Sequence, residues 1–168
     1  MRTRIAPALV LAALLWPVGA LAQTAQVVQH DQTIDAAKFR TYSFEVGHPA
    51  ILKEVDQRIL ATLEAQLAAK GLKKVASGPG DAIVTYHAVQ RQDVDLATFD
   101  KAKAAGQPAA LLKVGAMAVD LKDAASGKLA WRAKVEDVLR GDMAAQLATI
   151  DKAIAALFEK YPATTAKK

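Results

Sequence analysis

The chain has 168 residues, no cysteine and a formal net charge of +5 at pH 7. This length suits one domain, and the absence of cysteine excludes disulfides, thiolate metal ligands, cysteine nucleophiles and lipidation of a cysteine. The small basic excess forms no stripe with interleaved aromatic residues, which argues against a nucleic-acid-binding protein. We therefore expect one domain that is stabilised by core packing alone.

The first 22 residues have the features of an export signal. Arg2 and Arg4 precede a non-polar run at residues 5–15, and Ala20 and Ala22 form the small-x-small pattern that signal peptidase cuts. The run is about half of the roughly 20 residues that a membrane span needs. We expect cleavage after Ala22, a net charge lowered from +5 to +3 by loss of the two arginines, and a periplasmic protein without a transmembrane segment.

Apolar periodicity predicts the elements of the first half of the mature chain. Residues 23–34 read as a polar extension or short strand, and Tyr42 and Phe44 alternate with polar residues as in a half-buried strand. An amphipathic helix is predicted next, with Pro49 in its first turn and Gly71 at its end. Its apolar positions are Ile51, Leu52, Val55, Ile59, Leu63 and Leu67.

The middle of the chain combines one clear strand with a long connection. Residues 81–90 are β-branched and aromatic, which predicts a strand that is central or covered on both faces. Residues 91–112 are irregular, with a short helix at Leu96 and Phe99 that Gly106 closes. A connection of this length is typical of a functional or a mobile loop, and we favour a mobile one.

Two alternating runs around the polar loop at residues 123–127 predict a β-hairpin. One face of this hairpin should pack against a helix, while Arg132, Lys134 and Glu136 face water. The same alternation places Trp131 in the core, rather than on the surface as a platform for a sugar ring. The packed face comprises Val119, Leu121, Leu129, Trp131 and Val135.

A last amphipathic helix begins at the predicted N-cap Asp142 and ends before Pro162. Two such helices and a sheet with one apolar face predict an α+β two-layer sandwich, in which both helices cover one face of a mostly antiparallel sheet. We place this single domain at residues 35–162, followed by a disordered tail at residues 163–168. The apolar stripe of the last helix comprises Met143, Leu147, Ile150, Ile154, Leu157, Phe158 and Tyr161.

Three stretches in this order carry a family resemblance: "DAAKFRTYSF" at residues 35–44, "AAKGLKKVASGPGDAIVTYHAV" at residues 68–89 and "VDLKDAASGKLAWR" at residues 119–132. Together they resemble the bacterial domain-of-unknown-function family 4136. The resemblance implies an exported protein of a Gram-negative bacterium with an α+β fold, and it supplies no catalytic residue. The chain differs from the family in lacking a lipidated cysteine, and in having Ala36 and Phe44 where bulkier aromatic residues are common.

Few residues suggest chemistry. His30, His48 and His87 are too far apart in the sequence for a local metal motif, so we expect neither a metal nor a cofactor. His87, in the predicted central strand, is most simply a hydrogen-bonded structural histidine. Together with Asp93 and Asp95 in the loop that follows, it forms the candidate ligand site.

These observations favour a non-enzymatic module of the cell envelope that binds a protein, a lipid or a surface polymer. One alternative is a small hydrolase with a site under the 91–112 loop, formed by His87 and one of the loop aspartates. Another is a structural component that assembles with itself through an uncovered sheet face or edge strand.

Overall fold

The computed structural model describes residues 26–29, 31 and 33–162. The predicted cleavage site after Ala22, His30 and the tail at residues 163–168 lie outside the described residues. The strands are β1 (Gln26–Gln29), β2 (Thr41–Phe44), β3 (Lys73–Lys74), β4 (Ala82–Val94), β5 (Leu111–Asp123) and β6 (Leu129–Val138). The α-helices are α1 (Lys53–Ala69), α2 (Leu96–Ala104) and α3 (Met143–Glu159), and a 3-10 turn covers Ala36–Lys38.

The six strands form one sheet in the order β1-β6-β5-β4-β2-β3. The β1–β6, β6–β5 and β5–β4 pairs are antiparallel, whereas β2 pairs parallel with both β3 and β4. The sheet is therefore mixed, and it is mostly antiparallel as predicted, because its two longest strand pairs, β4–β5 and β5–β6, are antiparallel. The parallel pairs arise because α1 returns the chain to the end of the sheet where β2 began, as a crossover helix does.

The predicted α+β two-layer architecture is confirmed, because α1 and α3 pack side by side on one face of the sheet. The core between the layers includes Leu63 of α1, Phe158 of α3 and Trp131 of β6. Trp131 is 2% exposed and lies against the rings of Phe158 and Tyr161, which confirms it as a core residue. The Tyr161 hydroxyl donates a buried hydrogen bond of 2.7 Å to the carbonyl oxygen of Ala36, so the two ends of the domain are joined.

The short strand predicted within residues 23–34 is present as β1, which pairs with β6 at the edge of the sheet. β1 therefore belongs to the same sheet as the strands that follow residue 35. No helix in the described part of the chain combines the length and hydrophobicity needed to cross a bilayer.

The first long helix starts later than predicted. It begins at Lys53, so Pro49 lies before the helix rather than in its first turn, and Ile51 is 94% exposed. The cause is a hydrogen bond of 2.9 Å from the Ala50 N–H to the carboxylate of Asp56, which holds the preceding segment outside the helix. The end of the helix is as predicted, because Gly71 has a φ of 84°.

The region predicted to be irregular is mostly regular structure. β4 continues to Val94 and β5 begins at Leu111, and the two strands pair along their whole length. The predicted short helix is confirmed as α2, and Gly106 follows it with a φ of 65°. We call residues 89–113 the arm: these are the outer ends of β4 and β5 with α2 between them. No residue of α2 is buried.

Candidate functional site

The apolar stripes of both long helices extend beyond the core that they cover. The α1 stripe is buried from Ile59 onward, and the α3 stripe is buried from Ala153 onward. Closer to the two N-termini, Val55 and Ile150 are only partly buried. These ends lie on the same side of the molecule, because Arg58 near the start of α1 binds Asp151 of α3. The stripes predicted from periodicity are therefore buried only along part of each helix.

An open apolar cleft of about 440 Å³ lies where the two stripes leave the core. Its walls come from the first turns of α1 and the middle of α3, and its floor comes from β4, β5 and β6. Aliphatic side chains dominate both surfaces. The side chains that define the cleft are Val55, Ile59, Ala88, Met117, Val135 and Ile150.

The mouth of the cleft is formed in part by residues 48–52, the segment before α1. The Asp56 carboxylate holds this segment, because it accepts the Ala50 N–H bond and also a hydrogen bond of 2.6 Å from the Tyr86 hydroxyl. Burial, followed by this bond to Asp56, raises the pKa of Tyr86 well above its usual value. The Tyr86 hydroxyl therefore stays protonated at neutral pH and stays a donor to Asp56.

Polar groups in the cleft are few. Of the described residues that line it, Asp137 is the one with a formal charge, and its carboxylate accepts a 2.7 Å bond from the Val138 N–H. The Thr149 hydroxyl donates 3.1 Å to the Ala145 carbonyl of its own helix. His48 and Gln90 are the other lining residues with polar side chains. The helix residues that form the walls therefore carry no charge, and the single carboxylate, that of Asp137, belongs to β6 in the floor.

The three candidates from the sequence, His87, Asp93 and Asp95, line a different feature, an open groove between the arm and the sheet face opposite the helices. His87 is partly exposed there, and its strand neighbour Tyr86 points into the core, as the strand alternation predicts. Both carboxylates already have structural partners. Arg91 Nε donates 3.0 Å to Asp93, and Asp95 accepts 3.0 Å from the Ala97 N–H as the cap of α2.

The described residues contain no preformed metal site. Nowhere among them do three histidine, aspartate or glutamate side chains lie close enough together to hold one metal ion. The rings of His48 and His87 do lie close together, with centroids 6.0 Å apart. Two such rings are fewer than the ligands of an ordinary zinc site.

The same open sheet face carries a buried ion pair that the sequence did not indicate. Asp120 is 2% exposed, and Arg132 Nε donates 2.6 Å to its carboxylate. This hydrogen bond raises the pKa of the Arg132 guanidinium. Arg132 was predicted to face water and is instead partly buried by the pair, while Lys134 and Glu136 are exposed as predicted.

Comparison with known proteins decides the family. The sequence matches the family described as Domain of unknown function (DUF4136) over residues 26–163. The chain belongs to this family. A search of curated proteins finds no significant match. The recognition of this family from three short stretches of sequence is thus confirmed.

Similar solved structures show the fold. A PelC dodecamer from Paraburkholderia phytofirmans has a TM-score of 0.54 at 10% identity, covering 88% of this chain and all of that one (100%). A variant PelC dodecamer from the same organism has a TM-score of 0.52 at 11% identity, covering 81% of this chain and 94% of that one. A minor lipoprotein from Acinetobacter baumannii has a TM-score of 0.48 at 13% identity, covering 73% and 91%.

Neither the cleft nor its anchor Asp56 was recognised from the sequence. A continuous apolar stripe looks the same whether its partner layer covers all of it or only part. The sequence carried no separate signal for the cleft, because its floor comes from the same strands, β4, β5 and β6, that also carry the core.

Proposed function

We propose that this DUF4136 protein is a non-enzymatic binding module of the bacterial cell envelope, and that its ligand occupies the cleft between α1 and α3. The observation that supports this proposal is the open aliphatic cleft of about 440 Å³. Its size lies within the roughly 300–1,000 Å³ of ordinary ligand sites. Exposed apolar surface costs about 25 cal/mol per Å², which a ligand that covers it recovers.

A binding role fits the polar groups of the cleft better than a catalytic one. Nucleophilic catalysis needs a hydroxyl or thiol activated by a nearby base. The Thr149 hydroxyl donates instead to the Ala145 carbonyl, and the Asp137 carboxylate accepts from the Val138 N–H. The envelope location is supported by the export signal that the sequence predicts at the N-terminus, with expected cleavage after Ala22 and release into the periplasm.

The test is capture of a ligand from envelope extract. The mature protein is incubated with extract and repurified, and the bound proteins, lipids and glycans are identified by mass spectrometry. The same experiment uses Ala153→Leu, which adds volume at a buried wall position of the cleft, and Ala148→Leu, which makes the same change on an exposed position of α3.

We expect a saturable ligand on the wild type and on Ala148→Leu, and much less of it on folded Ala153→Leu. Equal capture by all three proteins would show that the ligand does not use the cleft. No saturable ligand on any of them would contradict a binding role.

A second candidate, self-assembly through the arm, is supported by a different observation. Apolar side chains of the arm are exposed to solvent: Leu96 is 79% exposed and Leu111 is 60% exposed. Exposed apolar clusters are typical of protein–protein interfaces. PelC, whose fold is similar, forms a dodecamer. We propose that copies of this chain meet at the arm.

The hydrolase alternative is supported only by the shared groove of His87, Asp93 and Asp95. It would require one carboxylate to leave its present partner, either Arg91 or the Ala97 N–H. We expect His87→Ala to change the melting temperature slightly and to leave ligand capture unchanged. Loss of capture, or of any hydrolytic activity found by substrate screening, with unchanged melting would favour the groove over the cleft.

A further inference from the structure

We infer that the cleft between α1 and α3 binds a single alkyl chain of an amphiphile, the chemistry shared by fatty acids and lysophospholipids. This inference rests on the proposed function and specifies its ligand class. Three properties of the cleft lead to it: its volume, the type of its lining side chains and the distribution of charge.

The volume fits a chain rather than a small solute. An apolar cavity of about 150 Å³ is large enough to bind benzene. The cleft, at about 440 Å³, is nearly three times larger. On that scale it accommodates roughly 12–18 carbon atoms, by proportion to the benzene-sized cavity. This is the size of one acyl chain, and it is smaller than the two chains of an intact phospholipid.

The lining is aliphatic. Apart from the His48 imidazole at the mouth, no aromatic ring lines the cleft in the described part of the chain. Sugar rings and nucleobases are usually held by stacking on aromatic side chains. Trp131, the one tryptophan among the described residues, is buried against Phe158 and unavailable for stacking. A flexible aliphatic chain is the ligand that such a surface matches.

The distribution of charge in the cleft suits an amphiphile whose uncharged tail lies inside the cleft and whose headgroup stays in solvent. The walls formed by Val55, Ile59 and Ile150 carry no charge, so a charged ligand group placed among them would lose its hydration without a partner. Asp137, the one formally charged lining residue, gives no basic site for an anionic head. We therefore expect the chain, and not the headgroup, to determine affinity.

The mouth extends the apolar surface towards solvent. Ile51 is 94% exposed and Leu52 is 48% exposed, and both line the cleft. Asp56 holds the segment that carries them through the Ala50 N–H. These two side chains are placed to contact the part of an alkyl chain nearest its headgroup.

The first experiment is a calorimetric titration of the mature protein with alkylphosphocholines of increasing chain length, each kept below its critical micelle concentration. We expect the dissociation constant to fall up to about fourfold for each added methylene, the value for full burial of that group. The fall should stop once the cleft is full. A dodecyl polyoxyethylene ether and dodecanoate carry the same chain on neutral and anionic heads, and should bind within about threefold of dodecylphosphocholine.

Three substitutions test whether the alkyl chain binds in the cleft. Ala153→Leu should weaken dodecylphosphocholine at least tenfold, and Ala148→Leu should leave it unchanged. Because Ile51 is exposed, Ile51→Ser cannot disturb the core, so it remains informative if Ala153→Leu fails to fold. We expect Ile51→Ser to weaken binding severalfold.

Affinity that does not depend on chain length, a strong preference for one headgroup charge, or wild-type binding by both Ala153→Leu and Ile51→Ser would each overturn the inference. Failure of the ligand class is distinguishable from failure of the proposed function. If the alkyl probes do not bind but envelope capture still depends on Ala153, the cleft is the binding site and its ligand is of another class. If neither depends on Ala153, both proposals fail.

Discussion

Among single residues, Trp131 combines a favourable and an unfavourable contribution to stability. Its ring is 2% exposed between Phe158 and Tyr161, yet its indole N–H finds no acceptor among the described residues. Burial of an unpaired donor costs about 1–3 kcal/mol. A replacement that keeps an aromatic ring and removes the N–H loses some packing energy, but it also removes the cost of the unpaired donor. The net decrease in the free energy of unfolding should therefore be small.

We expect Trp131→Phe to lower the free energy of unfolding by less than about 2 kcal/mol, whereas Trp131→Ala should lower it by about 3–5 kcal/mol. Urea denaturation followed by circular dichroism measures both values. A Trp131→Phe protein as unstable as Trp131→Ala would show that the indole N–H is satisfied in solution.

Asp151 links the two long helices and should make their contact sensitive to acid. Its carboxylate accepts 2.9 Å from Arg58 Nε and 2.7 Å from the Thr62 hydroxyl. The Arg58 bond holds the pKa of Asp151 below its usual value, burial opposes this, and the Thr62 bond adds to it. Because folding lowers this pKa, the ionised pair stabilises the folded protein at pH values above the unfolded pKa of about 3.9. This stabilisation is lost as the pH falls through the pKa of the folded state.

We expect Asp151→Asn to cost about 0.5–2 kcal/mol at neutral pH, a modest value because water screens the half-exposed Arg58. The difference from wild type should shrink as the pH falls below about 4, since the unfolded wild type then takes up a proton at Asp151 more readily than the folded one does. Denaturation curves of both proteins at neutral pH and near pH 3 test this. A difference that stays constant over this range would exclude the charge as its origin.

At the scale of elements, the arm carries five of the eight large apolar residues that are exposed in the described part of the chain: Val89, Val94, Leu96, Phe99 and Leu111. α2 has no buried residue, and its Leu96 and Phe99 are 79% and 40% exposed. Replacing both by serine should therefore leave the free energy of unfolding within about 0.5 kcal/mol of wild type, as for most surface substitutions.

If the arm mediates self-assembly, Leu96→Ser with Phe99→Ser should shift the protein from oligomer to monomer in sedimentation velocity. Val46→Ser is the matched control, because Val46 is 90% exposed but lies outside the arm. A wild type that stays monomeric at high concentration, or a double variant that associates as strongly as wild type, would rule out this interface.

The period of the apolar residues and the spacing of the turn and capping residues predicted the helices and strands well. They predicted the arrangement of the strands in the sheet less well. Tyr42 and Phe44 mark β2 by alternation, and Asp142 caps α3 with a 2.9 Å bond to the Ala145 N–H, as expected. Alternation has the same period in parallel and antiparallel strands, so it could not show that β2 pairs parallel with β4. The start of α1 depended on Asp56 binding the Ala50 N–H, a contact that Pro49 does not reveal.

The candidate site was harder to predict for a similar reason. Sequence patterns show which face of a helix is apolar, but not how closely the sheet beneath it approaches. The cleft lies where Val55 and Ile150 stand over the sheet without filling the space between the two layers. The groove residues His87, Asp93 and Asp95 were selected for their chemistry and do lie together, yet hydrogen bonds to Arg91 and the start of α2 already occupy both carboxylates.

For the molecule as a whole, closure of the core depends on the last part of the chain. Leu157 and Phe158 of α3 are fully buried, and Tyr161 follows them against Trp131. We expect a chain that ends at residue 152 to lack a cooperative thermal transition, because it lacks all four residues of α3 that are buried against the sheet and α1. A chain that ends at Pro162 is the control and should melt as the full-length protein does. Circular dichroism melts compare the two, and a cooperative transition in the shorter chain would contradict this expectation.

The hydrogen bond from Tyr161 to the Ala36 carbonyl has a consequence for the timing of folding. Ribosomes make a protein from its N-terminus, so Ala36 leaves the ribosome long before its partner exists. Because the two residues are 125 positions apart, this bond can form only after nearly the whole domain has been synthesised. The residues that complete the domain thus also determine when, in the life of each molecule, it becomes able to fold.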